Sequence, residues 1–112
     1  MKETSSIPAD EALDRRTADA LAALAHPVRL RILRELAAEE YCCCKDVVER
    51  FPLAQSTVSQ HLRVLVNAGI LQVSRDAQRS RYTLNRDQLD ALTRAVGALA
   101  AHCCAARPNQ KD

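Results

Sequence analysis

Apolar residues recur at helical spacing in five stretches of this chain and alternate with polar ones in two short stretches between the fourth and fifth. The first helix is expected over residues 10–25, capped by Asp10, with Leu13, Ala20, Leu21 and Leu24 in a narrow stripe. His26-Pro27 ends it and opens a second helix over residues 27–38, since proline is welcome at the first helical position. Val28, Ile32, Leu33 and Leu36 face inward there, and Arg29, Arg31, Arg34 and Glu35 read as a solvated outer face. A short third helix over residues 45–51 gathers Val47, Val48 and Phe51, and Pro52 breaks it. The fourth lies within residues 53–69. Val58, Leu62, Leu65 and Val66 fall on one side, and Ser56, Gln60, Arg63 and Asn67 on the other. Asn67-Ala68-Gly69 is a helix stop, with Gly69 placed for a left-handed cap.

After Gly69 the period drops to two. Leu71 and Val73 alternate with Gln72 and Ser74, Tyr82 and Leu84 flank Thr83, and the polar run 75–79 connects them. That pattern predicts a β-hairpin with an apolar inner face and a basic tip. Asn85 and Gln88 have capping-box spacing, with Gln88 reaching back. The fifth helix runs over residues 86–106, before Pro108. Its Leu89, Leu92, Val96, Leu99 and Cys103 recur at alternating threes and fours, the seam of a helix that packs on a twin. Residues 1–9 read as a flexible arm, 10–106 as one domain and 107–112 as a tail.

A short helix, a turn and a polar-faced helix make a helix-turn-helix, and a basic-tipped hairpin after it makes a wing. The expected fold is therefore mainly α with a small β-hairpin, a winged helix-turn-helix that forms a homodimer. Taken alone, the fourth helix is equally an ordinary amphipathic helix with a solvated face. The short helix and Pro52 before it favour a helix that enters the major groove. Its polar face offers amides, hydroxyls and a guanidinium with no carboxylate, which suits base edges and phosphates. Gln55, Ser56, Thr57, Ser59 and Gln60 are placed to read bases, and Arg63, Arg79 and Arg81 to hold phosphates. His61, on the flank, is expected to pack or to touch a phosphate.

Composition narrows the partner. The 112 residues are 47% hydrophobic, enough for one small core, and a second copy would help bury the rest. The net charge of +2, from 16 Lys+Arg and 14 Asp+Glu, is too mild to carry nucleic-acid binding by itself. Its distribution says more, for Arg75, Arg79, Arg81 and Arg86 crowd one region against Asp76 and Asp87. With one Phe and two Tyr there is no stacking platform for single strands, so the duplex is the expected partner. No apolar run would span a bilayer and no signal-peptide core is present, so a cytoplasmic protein without a membrane partner is expected. Two glycines, no Cys-x-x-Cys, no nucleophile–base set and no phosphate loop argue against a thiol enzyme, and no organic cofactor is expected.

His26-Pro27-Val28-Arg29-Leu30-Arg31-Ile32-Leu33, then residues 56–65 reading STVSQHLRVL, Ala68-Gly69-Ile70-Leu71 and the closing Arg81-Tyr82-Thr83-Leu84 together resemble the ArsR/SmtB family of bacterial repressors. The resemblance covers about residues 18–84 and, more loosely, the terminal helix. It implies a homodimeric winged helix that sits on a palindromic operator and is released by an inducer, without naming the inducer.

The five cysteines fall into two clusters, Cys42-Cys43-Cys44 and Cys103-Cys104. Cys103 also continues the apolar seam as a small hydrophobe, whereas Cys104 lies about 100° further round. Thiols in a chain with no export signal favour soft acceptors over a disulfide framework. Trivalent arsenic or antimony takes three thiolates, or two with a methyl group in the third place. Zinc or cadmium wants four ligands, and His102 offers one. The family's zinc site on the terminal helices needs a spaced Asp/His set, and no histidine lies between Asp87 and His102. Its arsenic site reads Cys-x-Cys before Asp; aligned on Asp46, that places Cys43 on the first cysteine and Lys45 on the second. Some arsenic-responsive members use adjacent cysteines on the terminal helix, which Cys103-Cys104 resembles. The expected ligands are therefore Cys103, Cys104 and Cys43, then Cys44, then Cys42. The expected inducer is As(III) or Sb(III), inorganic or methylated. A thiol-based redox or persulfide switch and a Zn/Cd sensor of the same fold stay open as alternatives.

Overall fold

The computed structural model describes the backbone of residues 7–38, 42–76 and 79–105, with side chains for all of these except 7–9, 42–45 and 76. The expected hairpin tip at 77–78, the tail and most of the arm lie outside the described residues. The element order is α1 (Ile7–Leu24), α2 (Pro27–Ala37), β1 (Cys42–Cys43), α3 (Cys44–Arg50), α4 (Gln55–Asn67), β2 (Leu71–Asp76), β3 (Arg79–Leu84) and α5 (Arg86–Ala105). None of the described helices is long and apolar enough to cross a membrane.

The helix boundaries follow local chemistry. α1 opens at Ile7, three residues before the expected Asp10 cap and inside the expected arm. Pro8 is tolerated there because first-turn amides have no intrahelical partner anyway, and Asp10 in the first turn complements the helix dipole. α2 starts behind His26, whose extended backbone (φ −155°, ψ 126°) and Nδ1 atom, 3.1 Å from the Val28 amide, cap it. α4 closes in a Schellman motif: the Ile70 amide donates to the Leu65 carbonyl at 3.0 Å and the Gly69 amide to the Val66 carbonyl at 2.9 Å. Gly69 takes the left-handed conformation this requires, with φ +80°. Asn85 caps α5 by accepting the Gln88 amide at 3.3 Å. The expected return bond from the Gln88 side chain does not form, because the Asn85 amide already donates to the Ile70 carbonyl at 2.9 Å. The Gln88 amide group lies instead against Gly69, 3.0 Å from where a Cβ would stand.

The sheet has three strands in the order β1-β3-β2, all antiparallel. The hairpin was expected; β1 was not. A two-residue strand is too short to show alternation, and it exists through its pairing of Cys42 with Tyr82 and Cys43 with Arg81. The hairpin pairs Leu71 with Leu84 through to Asp76 with Arg79, so Arg75, Asp76 and Arg79 belong to strands and not to the connection.

The buried core comprises Ala23, Ile32, Leu36, Val47, Phe51, Val58, Leu62, Leu65, Ile70 and Leu71. It is thus built by Ala23 near the end of α1, the inner faces of α2, α3 and α4 and the start of β2, with Tyr82, Leu84 and Leu89 packed on its edge. Val73, expected on the inner face with Leu71, is 40% exposed because the hairpin runs out past the core. α5 packs on α1 and has no buried residue. Leu13 and Leu21 on α1 and Val96 and Leu99 on α5 stand exposed, leaving the outer half of the predicted seam uncovered within one chain, while Leu89 and Leu92 are half-buried.

Candidate nucleic-acid interface and thiol sites

α4 sorts its residues by helical phase. Val58, Leu62 and Leu65 are fully buried, which turns Gln55, Ser56, Thr57, Gln60 and Arg63 outward to solvent, with Ser59 half-buried between the faces. Its first turn has no acidic residue and its N-cap, Ala54, makes no side-chain cap bond. The positive end of the helix dipole therefore meets a partner unneutralised, as suits phosphate.

The wing presents its cations unevenly. By register Arg79 and Arg81 share one sheet face, and Arg75 opposite Ser80 lies on the other. Arg79 is exposed, but Arg81, in the central strand between β1 and β2, is half-buried. Arg75 is exposed as well. Sequence reasoning counted it in the basic region without assigning it a contact; the signal was its place at the outer end of a strand that leaves the core.

Two of the three α2 arginines read as solvated are engaged within the fold. The Arg31 guanidinium sits 4.8 Å from the Phe51 ring centroid, a cation–π contact. Arg29 donates from Nε to His61 Nδ1 at 3.2 Å and from Nη1 to the Ala23 carbonyl at 3.0 Å. The His26 and His61 ring centroids are 4.5 Å apart, tilted at 60°. His61 is thus held inside the fold, on α4 but away from its outward face. An imidazole that accepts at Nδ1 carries its proton on Nε2 and is neutral. Burial, then the neighbouring His26 and Arg29, hold the His61 pKa below its usual 6.5.

That depression sets a sign. The folded state binds the His61 proton less readily than the unfolded chain does, so its share of stability is intact above about pH 6.5 and is lost as pH falls through the folded value. Denaturation midpoints followed with pH are expected to fall more steeply on the acid side for the wild type than for His61→Asn, which cannot titrate. Equal acid slopes would mean that His61 is not held neutral.

Cys103 and Cys104 are free, exposed thiols in the last turn of α5, beside the exposed His102. Adjacent Cα atoms are about 3.8 Å apart, so two neighbouring sulfurs are within reach of one large soft atom. Cys42 and Cys43 form β1 and Cys44 begins α3; their side chains lie outside the described residues. β1 pairs with β3 just before α5 begins, whereas Cys103 is 17 residues, or about 26 Å, along that helix. α5 follows α1 rather than returning to β1. Among the described residues of one chain, no three His, Cys, Asp or Glu side chains are gathered as a metal site.

Residues 24–74 match the family described as helix-turn-helix domain. The chain is 36% identical over 70 residues to an arsenical resistance operon repressor of Staphylococcus xylosus, an alignment spanning 62% of this chain and 66%, just under two thirds, of that one. It is 35% identical over 103 residues to a biofilm growth-associated repressor of Agrobacterium fabrum, covering 92% of this chain and 85% of that one. Among solved structures, the homodimeric winged helix-turn-helix DNA-binding domain of a possible ArsR-family regulator from Mycobacterium bovis is similar at a TM-score of 0.69 and 23% identity, covering 99% of this chain and all of that fragment.

Proposed function

This chain belongs to the ArsR/SmtB family of winged-helix transcriptional regulators, and we propose that it is a cytoplasmic repressor that grips operator duplex as a homodimer until its cysteines capture trivalent arsenic or antimony, inorganic or methylated. Gln55, Ser56, Thr57, Ser59 and Gln60 read base edges, and Arg63, Arg79 and Arg81 steady the backbone. Arg75 joins the phosphate contacts of the wing. Two such surfaces, related by a twofold axis through the exposed α1 and α5 faces, meet two half-sites.

The observation that carries the inducer is the adjacent pair of exposed thiols, Cys103 and Cys104, at the end of the seam helix. Each thiol replaces one hydroxide on arsenite: an As–S bond forms, an As–O bond breaks, and the thiol proton leaves in water. The third place is taken by a sulfur of Cys43, Cys44 or Cys42 from the second copy, or by a methyl group already on the arsenic. Loading the end of α5 acts on the pairing of the two copies and so on the spacing of their reading helices. A coupling of ~1–3 kcal/mol, or 5–150-fold in affinity, is sufficient for release.

The test is fluorescence anisotropy on a duplex that the protein enriches from a random pool, titrated with arsenite in the presence of a phosphine reductant. Release is expected, and Cys103→Ser/Cys104→Ser is expected to bind the duplex as the wild type does while losing the response. A surviving response overturns the thiol assignment. Release only by an oxidant or polysulfide, reversed by reductant, favours the redox reading; release by zinc or cadmium alone favours the divalent sensor.

A further inference from the structure

α1 ends at Leu24 with no basic residue in its last turn. The Ala25 and His26 amides donate to the Ala22 and Leu24 carbonyls at 3.2 and 2.7 Å, and the Ala23 carbonyl takes its donor from α2. Arg29 sends Nη1 to the Ala23 carbonyl at 3.0 Å, with the Ala22 carbonyl at 3.4 Å. The same guanidinium sends Nε to His61 Nδ1, 3.2 Å away and 32 residues further along the chain, in the middle of α4. His26, which caps α2 through its own Nδ1, lays its ring against the other side of this junction, 4.5 Å from that of His61. One planar cation thus meets the end of α1, the start of α2 and the flank of α4. A guanidinium does this because its donors diverge in a fixed plane; a lysine ammonium has a single donor centre on a flexible stem.

We infer that Arg29 is a positioning residue that sets the angle of α4 against α1, acting through His61, and so determines how the reading face meets DNA. The consequence follows from the roles of the two helices. α1 carries Leu13 and Leu21 on its uncovered side, the side assigned to a second copy, and α4 carries the base-reading residues. A 13-residue helix is about 20 Å long, so a tilt of about 10° displaces one end by about 3 Å, the length of a hydrogen bond. Such a tilt spoils base contacts and the half-site register while leaving diffuse attraction to phosphates in place. His61 is half-buried on the flank of α4, beside the buried side and turned away from Ser56, Gln60 and Arg63, so the strut grips the helix without occupying its outward face.

The inference rests on the family's DNA binding and not on the identity of the inducer. Arg29→Ala and His61→Ala are each expected to lower affinity for the selected duplex by about 10-fold while changing affinity for a scrambled duplex by less than about 2-fold. The double variant is expected to fall no further than either single one, because both remove the same bond. Arg29→Lys is expected not to restore affinity. His61→Asn is expected to restore it, since its Oδ1 offers an acceptor where Nδ1 stood. Additive losses, or equal losses on both duplexes, would overturn the strut. Independently of DNA, backbone N–H residual dipolar couplings of the free protein are expected to place α1, α2 and α4 in one alignment frame in the wild type. In Arg29→Ala α4 is expected to leave that frame, and if it stays the strut is refuted. Should Arg29→Ala fail to fold, the same couplings on His61→Ala against His61→Asn decide the matter. A wild type that ignores every duplex counts against the functional reading, while the couplings still judge the strut.

Discussion

Leu99→Asp is expected to yield a folded monomer whose affinity for the selected duplex is at least about 100-fold below that of the wild type, since the second half-site is then no longer held at high effective concentration. Leu99 is 58% exposed, and α5 contributes no buried residue to the core, so the substitution leaves the packing of the winged domain untouched. In a dimer paired along the seam, each copy would bury an aspartate in an apolar interface, and an uncompensated charge there is strongly unfavourable. Sedimentation velocity reads the oligomeric state, circular dichroism the fold and anisotropy the affinity. A variant that stays dimeric places the interface elsewhere. A monomer that binds as tightly as the wild type removes the need for pairing.

Leu62→Ala is expected to destabilise the protein by ~2–5 kcal/mol, a large part of the 5–15 kcal/mol that holds a typical domain together. Leu62 is fully buried in the cluster that α4 forms with Ile32, Leu36, Val47 and Leu65. Truncation removes apolar contacts and leaves a cavity that helices on several sides cannot close together. Ser56→Ala, on the outward face of the same helix, is expected to stay within about 0.5 kcal/mol, since it empties no space in the core. Urea denaturation at one fixed protein concentration measures both, the fixed concentration being needed because association adds to apparent stability. A loss below about 1 kcal/mol for Leu62→Ala would mean that the inward face of α4 is not the centre of the core.

Much of the candidate site was legible in the chain because one periodicity performs two tasks. The spacing that buries Val58, Leu62 and Leu65 necessarily exposes Gln55, Ser56, Gln60 and Arg63, so finding the core side of α4 also located the face proposed to read bases. The wing was legible only as far as alternation reaches. Register placed Arg79 and Arg81 on one face, but the half-burial of Arg81 goes with its place in the central strand, and that strand is central because β1 pairs with it from nearly forty residues away. The thiols are a third case. Their grouping is visible in the order of residues, while the course of α5 along α1, which carries Cys103 and Cys104 away from the start of that helix, is not.

The sequence by itself determined the presence of the helices and the hairpin and several of their ends, though not the start of α1, which opens at Ile7 ahead of Asp10. Pro27, Pro52, Gly69 and Asn85 act within a turn of their own position, and a hydrophobic stripe needs only its own helix to exist. The tertiary structure alone decided the third strand, the solvent exposure of Val73, the turning of Gln88 toward Gly69 and the use of Arg29 to tie α1 to His61. Each of these depends on which groups other elements bring alongside. A side chain with several possible partners takes the one that packing delivers, and no local pattern records where distant helices and strands come to rest.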